Sequence, residues 1–594
     1  MANYITPLRD MRFVYNELLD PEAIQALPGF EEISPDLVDA LLEESGKFCE
    51  EQLQPLNRSG DEEGCHFENG NVTTPEGFKE AYKGFCEMGL NSLTSDPQYG
   101  GQGLPKTVAM LAEETMCGAN FSFSLYPGLT AGAINSIELY GSEELKNTYL
   151  PNMVEGTWSG SMCLTEPHCG TDLGLCRTKA IVQDDNSYLV TGTKMFITAG
   201  EHDLTENIIH LVLARTPDAP EGIKGISLFI VPKLSINEDG TSGDANGVTC
   251  GSIEHKMGIN ASATCVMNFD DAKGYLVGKL NKGMEAMFVM MNNERLGVGI
   301  QGLGVAEASY QGAVEYARDR IQGRALTGAK KPADKADPIL VHPDVRRMLL
   351  TQRALIEGNR ALAAWVAFEL DISHNHPDEK RRKQADDFIA LMTPVVKAFM
   401  TDCGSEVSNI GMQVLGGHGY IRENGMEQYV RDARIAQIYE GTNGIQALDL
   451  LGRKMPAHFG RNMRPFFHAV RNYIYEKEMN YELKEFLIPL AKAFGRLQKI
   501  TAVLAQRGMK NPDEIGMAST DYLRMLALVA LAHQWMRMAE IGLQKNNGDD
   551  AMFYQAKIDT AKFYFERILP QTGALFATMM SGSKSTMSFN DDAF

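Results

Sequence analysis

A mainly α-helical chain interrupted by one inserted β domain is the fold class that hydrophobic patterning predicts for these 594 residues. Three observations carry that prediction. Apolar residues fall at helical spacing up to about residue 150, alternate with a period of two from about 160, and return to helical spacing from about 283. The length exceeds one compact core and corresponds to about three to four domains.

In the first helical region, Ser34-Pro35 supplies an N-cap residue followed by proline at the first helical position, and Leu37, Leu41 and Leu42 follow at helical spacing. The loop from Tyr99 to Pro105 breaks this region. In the β region, Ala180–Val182 and Tyr188–Thr191 flank Asp184-Asp185-Asn186, a hairpin signal. Asn207–Ala214, Gly225–Val231 and Ala263–Phe269 are further strand-like runs. No helix of crossover length separates them, which predicts an antiparallel sheet. Helical spacing then runs from 283 to 453 and from 458 to 570, ahead of a Ser-, Met- and Asp-rich tail expected to be poorly ordered. Gly302-Leu303-Gly304 only partly matches a dinucleotide-binding loop, and it lies in a helical pattern rather than after a strand. An NAD-binding domain is therefore not expected.

The net charge of −21 argues against nucleic acid as a partner. Residues 456–594, with 17 Lys and Arg against 14 Asp and Glu, are too weakly basic to change that. No apolar run reaches the ~20 residues that cross a bilayer, and the opening MANYITPLRDMRF lacks a signal peptide's apolar stretch. The apolar run Leu523–Leu543 is broken by Arg524, His533 and Arg537, and core packing suits it better than membrane docking. A cytoplasmic location is the expectation. The ten cysteines show no CxxC pair, and the spacing of Cys163, Cys169 and Cys176 matches no common zinc pattern, so no metal is expected.

Glu440 follows a helical stretch, Met426 to Ile438, and precedes Gly441-Thr442-Asn443-Gly444, where Thr442 or Asn443 would cap a helix from Ile445. Its apolar neighbours Ile438 and Tyr439 would raise a carboxylate toward the range of a general base. Local spacing alone does not separate that role from a solvated glutamate. The surrounding motifs do. Gln413-Val414-Leu415-Gly416-Gly417-His418-Gly419-Tyr420, Arg431-Asp432-Ala433-Arg434-Ile435 and Ile438–Gln446 closely resemble the C-terminal signature of the acyl-CoA dehydrogenase family. Met162–Pro167 with Gly170-Thr171-Asp172, Lys194–Thr198, and Lys256–Ile259 with Ser262-Ala263-Thr264 resemble its middle-domain motifs, in family order.

The resemblance implies an acyl-CoA dehydrogenase fold: an N-terminal extension (1–33), a helical domain (34–158), a β-barrel (159–280), a helical bundle (281–455) and an added C-terminal helical domain (456–594). It implies FAD as cofactor. Met162, Cys163, Leu164, Thr165, Gly170, Thr171, Phe196, Ile197 and Thr198 would line the flavin, while Gln413, Gly416, Gly417, Thr442 and Asn443 would touch other parts of FAD. Arg320 would reach the diphosphate of a neighbouring subunit's FAD, although Arg320-Ile321-Gln322-Gly323-Arg324 lacks the family's aromatic residue before glycine. Residues 325–340 look like a polar insertion, and His168-Cys169 replaces the usual Gly-Ala. Thr171, Glu294, Arg295 and Gly441 would border the acyl-CoA.

Glu440 would take the α-proton as hydride leaves the β-carbon, giving a trans-2-enoyl-CoA. The opening and the C-terminal extension are similar to those of large bacterial members, which include fatty acyl-CoA and 3-methylmercaptopropionyl-CoA dehydrogenases. A medium- or long-chain fatty acyl-CoA in β-oxidation is the expected substrate, 3-methylmercaptopropionyl-CoA dehydrogenation or acyl-CoA oxidase activity the alternatives. An electron-transfer flavoprotein is the expected acceptor and a homodimer the expected assembly. In some relatives the base sits at the position of Glu294, and this chain has a glutamate at both places. Glu440→Gln should abolish flavin reduction by acyl-CoA while Glu294→Gln leaves most of it; the reverse pattern assigns the base to Glu294.

Overall fold

The alternating segments form strands whose successive side chains enter two different cores. The computed structural model describes residues 4–594, with residues 288–294 described by their backbone alone. Two compact units are present, one made of Met1–Glu43, Pro105–Glu114 and Val298–Phe594, the other of Glu44–Leu104 and Thr115–Gly297.

The second unit holds eleven strands among the described residues: β1 (His66–Glu68), β2 (Asn71–Thr73), β3 (Trp158–Cys163), β4 (Lys179–Val182), β5 (Tyr188–Thr198), β6 (Asn207–Ala214), β7 (Ser227–Pro232), β8 (Leu234–Ile236), β9 (Ser242–Ala245), β10 (Val248–Ile253) and β11 (Thr264–Val277). Seven of them share a sheet in the order β3-β6-β7-β11-β5-β4, with β10 also paired to β11. On β6 and β7, Ile209, Leu211, Leu213, Leu228 and Ile230 pack into a core with Tyr149, Met153 and Trp158. Their alternate neighbours Val212, Ala214, Phe229 and Val231 pack into another with Cys265, Met267 and Phe269. Burial on both faces explains why these strands are nearly continuously apolar.

Two expectations need correction. The sheet is not wholly antiparallel, because β3 pairs with β6 in parallel register. The chain between them contains β4 and β5, which provide the long crossover that a parallel pair needs without a helix. Among the described residues the ladders run from β3 through β6, β7, β11 and β5 to β4. A single parallel bridge, Lys179↔Arg215, joins the start of β4 to the residue after β6. The helical reading of 34–150 also missed β1–β2, a hairpin whose Asn69-Gly70 turn has φ of 50° and 86°.

In the first unit, long helices run over Pro343–Asn375, Glu379–Leu415, Lys484–Gly508 and Asp513–Lys545. The Gly302-Leu303-Gly304 segment serves helix packing. A Cβ on Gly302 would lie 2.7 Å from the Met400 carbonyl oxygen, and one on Gly404 2.7 Å from that of Gly302. The Asp513–Lys545 helix is long and apolar enough to cross a membrane by composition, yet Leu523, Leu526, Leu528, Leu531 and Trp535 are buried. Trp535 donates its indole N–H to the Ala354 carbonyl at 3.0 Å. The polar insertion wraps around the fully buried Asp337, whose carboxylate accepts from the N–H groups of Ala325, Lys330 and Lys331 at 2.8–3.0 Å. The tail forms short helical turns, and Ser583 is fixed to Glu514 by hydrogen bonds of 2.7 and 2.9 Å.

A buried charge cluster ties this unit together. Arg360 binds Asp10, Glu114 and Glu307, and Lys557 binds Asp10 and Glu357. Arg353 joins Glu357 at 2.6 Å. Removing one partner strands the others in a low dielectric, a cost of about 3–5 kcal/mol. Lys557→Met should therefore lower the midpoint of thermal unfolding sharply, and adding Asp10→Asn should restore part of the loss.

Candidate active site

Residues around Thr165 and Phe196 are brought together in the second unit by one buried ion pair. Lys194 and Glu166 meet at 2.9 Å with almost no solvent exposure. Lys194 also donates to the Leu164 carbonyl at 3.0 Å. Glu166 accepts from the Cys176 thiol, the Arg177 and Thr178 N–H groups and the Thr178 hydroxyl at 2.6–3.0 Å. Burial by itself would raise this carboxyl, but Lys194 and those donors outweigh it and bring the group down to about 2.

The pair sits beside a bulge. Ile197 faces Cys265 and Lys194 faces Met267, so Met195 and Phe196 together oppose Val266 alone. The extra residue turns the Met195 N–H to the Thr165 carbonyl at 2.9 Å. It also places Phe196 in the left-handed region at φ 59° with 59% of its surface exposed. A bulky side chain turned outward on that backbone is an unusual arrangement, and it offers a flat apolar face. Thr165 and Thr198 are half-buried nearby, Gly170 and Thr171 exposed, and Met162, Cys163 and Ile197 buried. Cys163 points its thiol at Ser161 and His210 in the interior, leaving its backbone as what it can offer a ligand.

The first unit gathers a second group. An open pocket of about 330 Å³ is lined by Arg320, Tyr316 and Ile339 together with Gly416, Gly417 and His418. Gly416 and Gly417 are exposed, and no atom lies within 4 Å of where a Cβ would stand on either. Bare backbone beside an arginine suits a phosphate-bearing group. Tyr316 and His418 are hydrogen-bonded at 2.7 Å within the same pocket. The sequence reading placed Gln413 with this group, and it lies just ahead of the lining residues at the end of the Glu379–Leu415 helix.

The Glu440 loop joins helix Met426–Ala436 to helix Asn443–Asp449. Glu440 and Gly441 both have positive φ, 53° and 83°. Gln446 donates its amide to both of their carbonyls, at 3.1 and 3.2 Å. Asn443 uses its side chain inward, accepting from Lys397 and donating to Ala398, Thr401 and Asp402. Its N–H is bonded to the Gln437 carbonyl at 3.1 Å, so Asn443 fastens the loop to the neighbouring helices. Thr442 is exposed. Arg295 is buried in the Gly283–Asp319 helix, whereas the Glu294 side chain lies outside the described residues. Sequence reasoning did not single out Glu166, Lys194, Tyr316, His418 or Gln446 as site residues. All lie inside or beside the quoted motifs, but their pairing depends on bulges and helix ends that spacing does not reveal.

Family models describe the same chain as acyl-CoA dehydrogenase N-terminal domain over residues 36–157, middle domain over 161–272 and C-terminal domain over 281–455, followed by an acetyl-CoA dehydrogenase C-terminal-like domain over 466–590. The chain is 45% identical over 580 residues to a 3-methylmercaptopropionyl-CoA dehydrogenase of Ruegeria pomeroyi, covering 96% of this chain and 97% of the relative. It is 33% identical over 620 residues to the broad-specificity linear acyl-CoA dehydrogenase FadE5 of Mycobacterium tuberculosis, covering all of both chains. An acyl-CoA dehydrogenase from Bacillus anthracis, solved in complex with FAD, shares the fold with a TM-score of 0.72 at 20% identity, covering 96% of this chain and 91% of that one.

The Lys194–Glu166 pair makes a pH-dependent prediction. A carboxyl held below its ordinary value of 4.5 contributes stability above that value and loses it as pH falls toward about 2. In Lys194→Met the carboxylate is buried without its cation, so the variant should melt below wild type near neutral pH. That deficit should shrink as pH is lowered to about 4, where protonation removes the stranded charge; thermal melts across pH check it.

Proposed function

This chain belongs to the acyl-CoA dehydrogenase family and is an FAD-dependent oxidoreductase, and on that premise we propose that Glu440 is the base that removes the α-proton of an acyl-CoA thioester. The observation that carries the reading is the backbone at Glu440. A non-glycine residue at φ 53°, followed by Gly441 at 83°, is a conformation that persists only where the surroundings impose it. Here both carbonyls are captured by one buried side chain.

The two groups of residues suit FAD. Phe196, Thr165 and Thr198 offer an apolar face with hydroxyls beside it, fitting the flavin ring. Arg320 with the bare backbone of Gly416 and Gly417 suits the diphosphate of a neighbouring subunit's FAD. When bound, FAD accepts the hydride that leaves the β-carbon. The chain's own part is the proton. The Glu440 carboxylate takes the α-hydrogen and becomes a carboxylic acid, while its backbone N–H polarises the thioester carbonyl and stabilises the charge that develops there. Thr171, Arg295 and Gly441 are read as bordering the substrate, and exclusion of water keeps the carboxylate basic.

For the acyl group, we place 3-methylmercaptopropionyl-CoA ahead of the medium- or long-chain fatty acyl-CoA expected from sequence. What supports this is the name of the 45% identical relative, which matches nearly end to end, against 33% for the broad-specificity linear enzyme. An electron-transfer flavoprotein as acceptor and a homodimer as assembly complete the reading. Turnover of 3-methylmercaptopropionyl-, butyryl-, octanoyl- and palmitoyl-CoA with an artificial electron acceptor tests it. The thioether substrate should show a kcat/KM at least about tenfold above palmitoyl-CoA, the size of effect a few methylenes produce in a pocket. A maximum at octanoyl- or palmitoyl-CoA restores the fatty acyl reading, and stoichiometric hydrogen peroxide in air shows an oxidase.

A further inference from the structure

We infer that Gln446 is the positioning residue for the catalytic loop: its side-chain amide sets the orientation of the two peptides that carry Glu440 and Gly441. This rests on the reading of Glu440 as the base. Gln446 lies in the first turn of the Asn443–Asp449 helix, where its own N–H bonds the Thr442 carbonyl at 3.0 Å. Helical side chains lean toward the N-terminus, so this one reaches back over the turn that precedes it. Its two amide hydrogens meet the Glu440 carbonyl at 3.1 Å and the Gly441 carbonyl at 3.2 Å. Only the NH2 end of the amide can face two acceptors, so the orientation is unambiguous.

Three features make this more than a helix anchor. Asn443 already fastens the start of that helix, through Lys397, Ala398, Thr401 and Asp402 and through its N–H to the Gln437 carbonyl. Gln446 adds constraint only at the two left-handed peptides. Glycine at 441 serves the same contact, since a Cβ there would lie 2.6 Å from the Gln446 amide nitrogen. Finally, Gln446 is fully buried and its amide oxygen has no hydrogen-bond partner in the protein. A buried acceptor left unpaired is costly, and an apolar side chain of equal length would avoid that cost. Retaining the amide therefore serves its donors. The Glu440 carbonyl and the Glu440 side chain leave the same Cα, so holding the peptides on its C-terminal side fixes the point from which the carboxylate extends.

The test uses full-length, FAD-loaded Gln446→Met, which keeps length and burial and removes both donors. FAD content, thermal midpoint and the affinity for a 2-enoyl-CoA product should stay near wild type. Flavin reduction at saturating acyl-CoA should fall by about 100-fold, the effect of displacing a reacting group by about 1 Å. If the methionine variant does not fold, Gln446→Glu tests the same point. As a neutral acid it keeps one donor, and as a carboxylate it opposes both carbonyls. Its reduction rate should rise, relative to wild type, as pH is lowered. Wild-type reduction rates in a folded variant, or a rate loss matched by an equal loss of bound FAD, overturn the inference. Glu440→Gln measured alongside separates the two claims: if it still reduces flavin, the reading of the base has failed rather than the positioning.

Discussion

The first unit depends on charges that it buries. Arg360 and Lys557 are almost wholly out of water, and the carboxylates they hold come from parts of the chain far apart in sequence: Asp10 near the start, Glu114 in the Pro105–Glu114 segment, and Glu307 and Glu357 in the long helices. With Arg353 there are three cations against four carboxylates. Burial pushes the Glu114 carboxyl up, while Arg360 opposes that shift. Such a cluster adds little net stability over an apolar core, but it penalises every arrangement in which one member is missing. That is how three separate stretches of chain are committed to one packing.

The same device recurs on a smaller scale at the candidate site. Lys194–Glu166 fixes the bulge that turns Phe196 outward, and the Gln446 amide holds Glu440 and Gly441 in the left-handed region. In each case a buried polar side chain holds backbone that would otherwise relax, and the proposed functional group lies on that backbone. Preorganisation of this kind lets a carboxylate and an N–H act without rearranging at the moment of proton transfer.

How far this was legible from sequence varies with the physics involved. Strand positions such as Asn207–Ala214 followed from their β-rich composition and match the structure. The parallel β3–β6 pair did not, because pairing partners depend on a crossover that here is a hairpin rather than a helix. The β1–β2 hairpin had its signal in Asn69-Gly70, which a helical reading of the region passed over. The helical context of Gly302 was legible, and the structure supplies the reason for glycine there, a close crossing with Gly404. Glu440 was proposed through its motif. Gln446 stands six residues later in the same motif, but its contact exists only because two consecutive peptides are left-handed, which no periodicity encodes.

Proton abstraction at Glu440 is the claim on which the functional account turns, and exchange of the substrate α-hydrogen with solvent reads it without relying on turnover. FAD-loaded enzyme is incubated anaerobically in deuterium oxide with a 3-thiaacyl-CoA, whose α-carbon can be deprotonated but which has no β-hydrogen to transfer. The account predicts α-deuteration by the wild type and by Glu294→Gln, and none above background by Glu440→Gln. Exchange that survives in Glu440→Gln would contradict it.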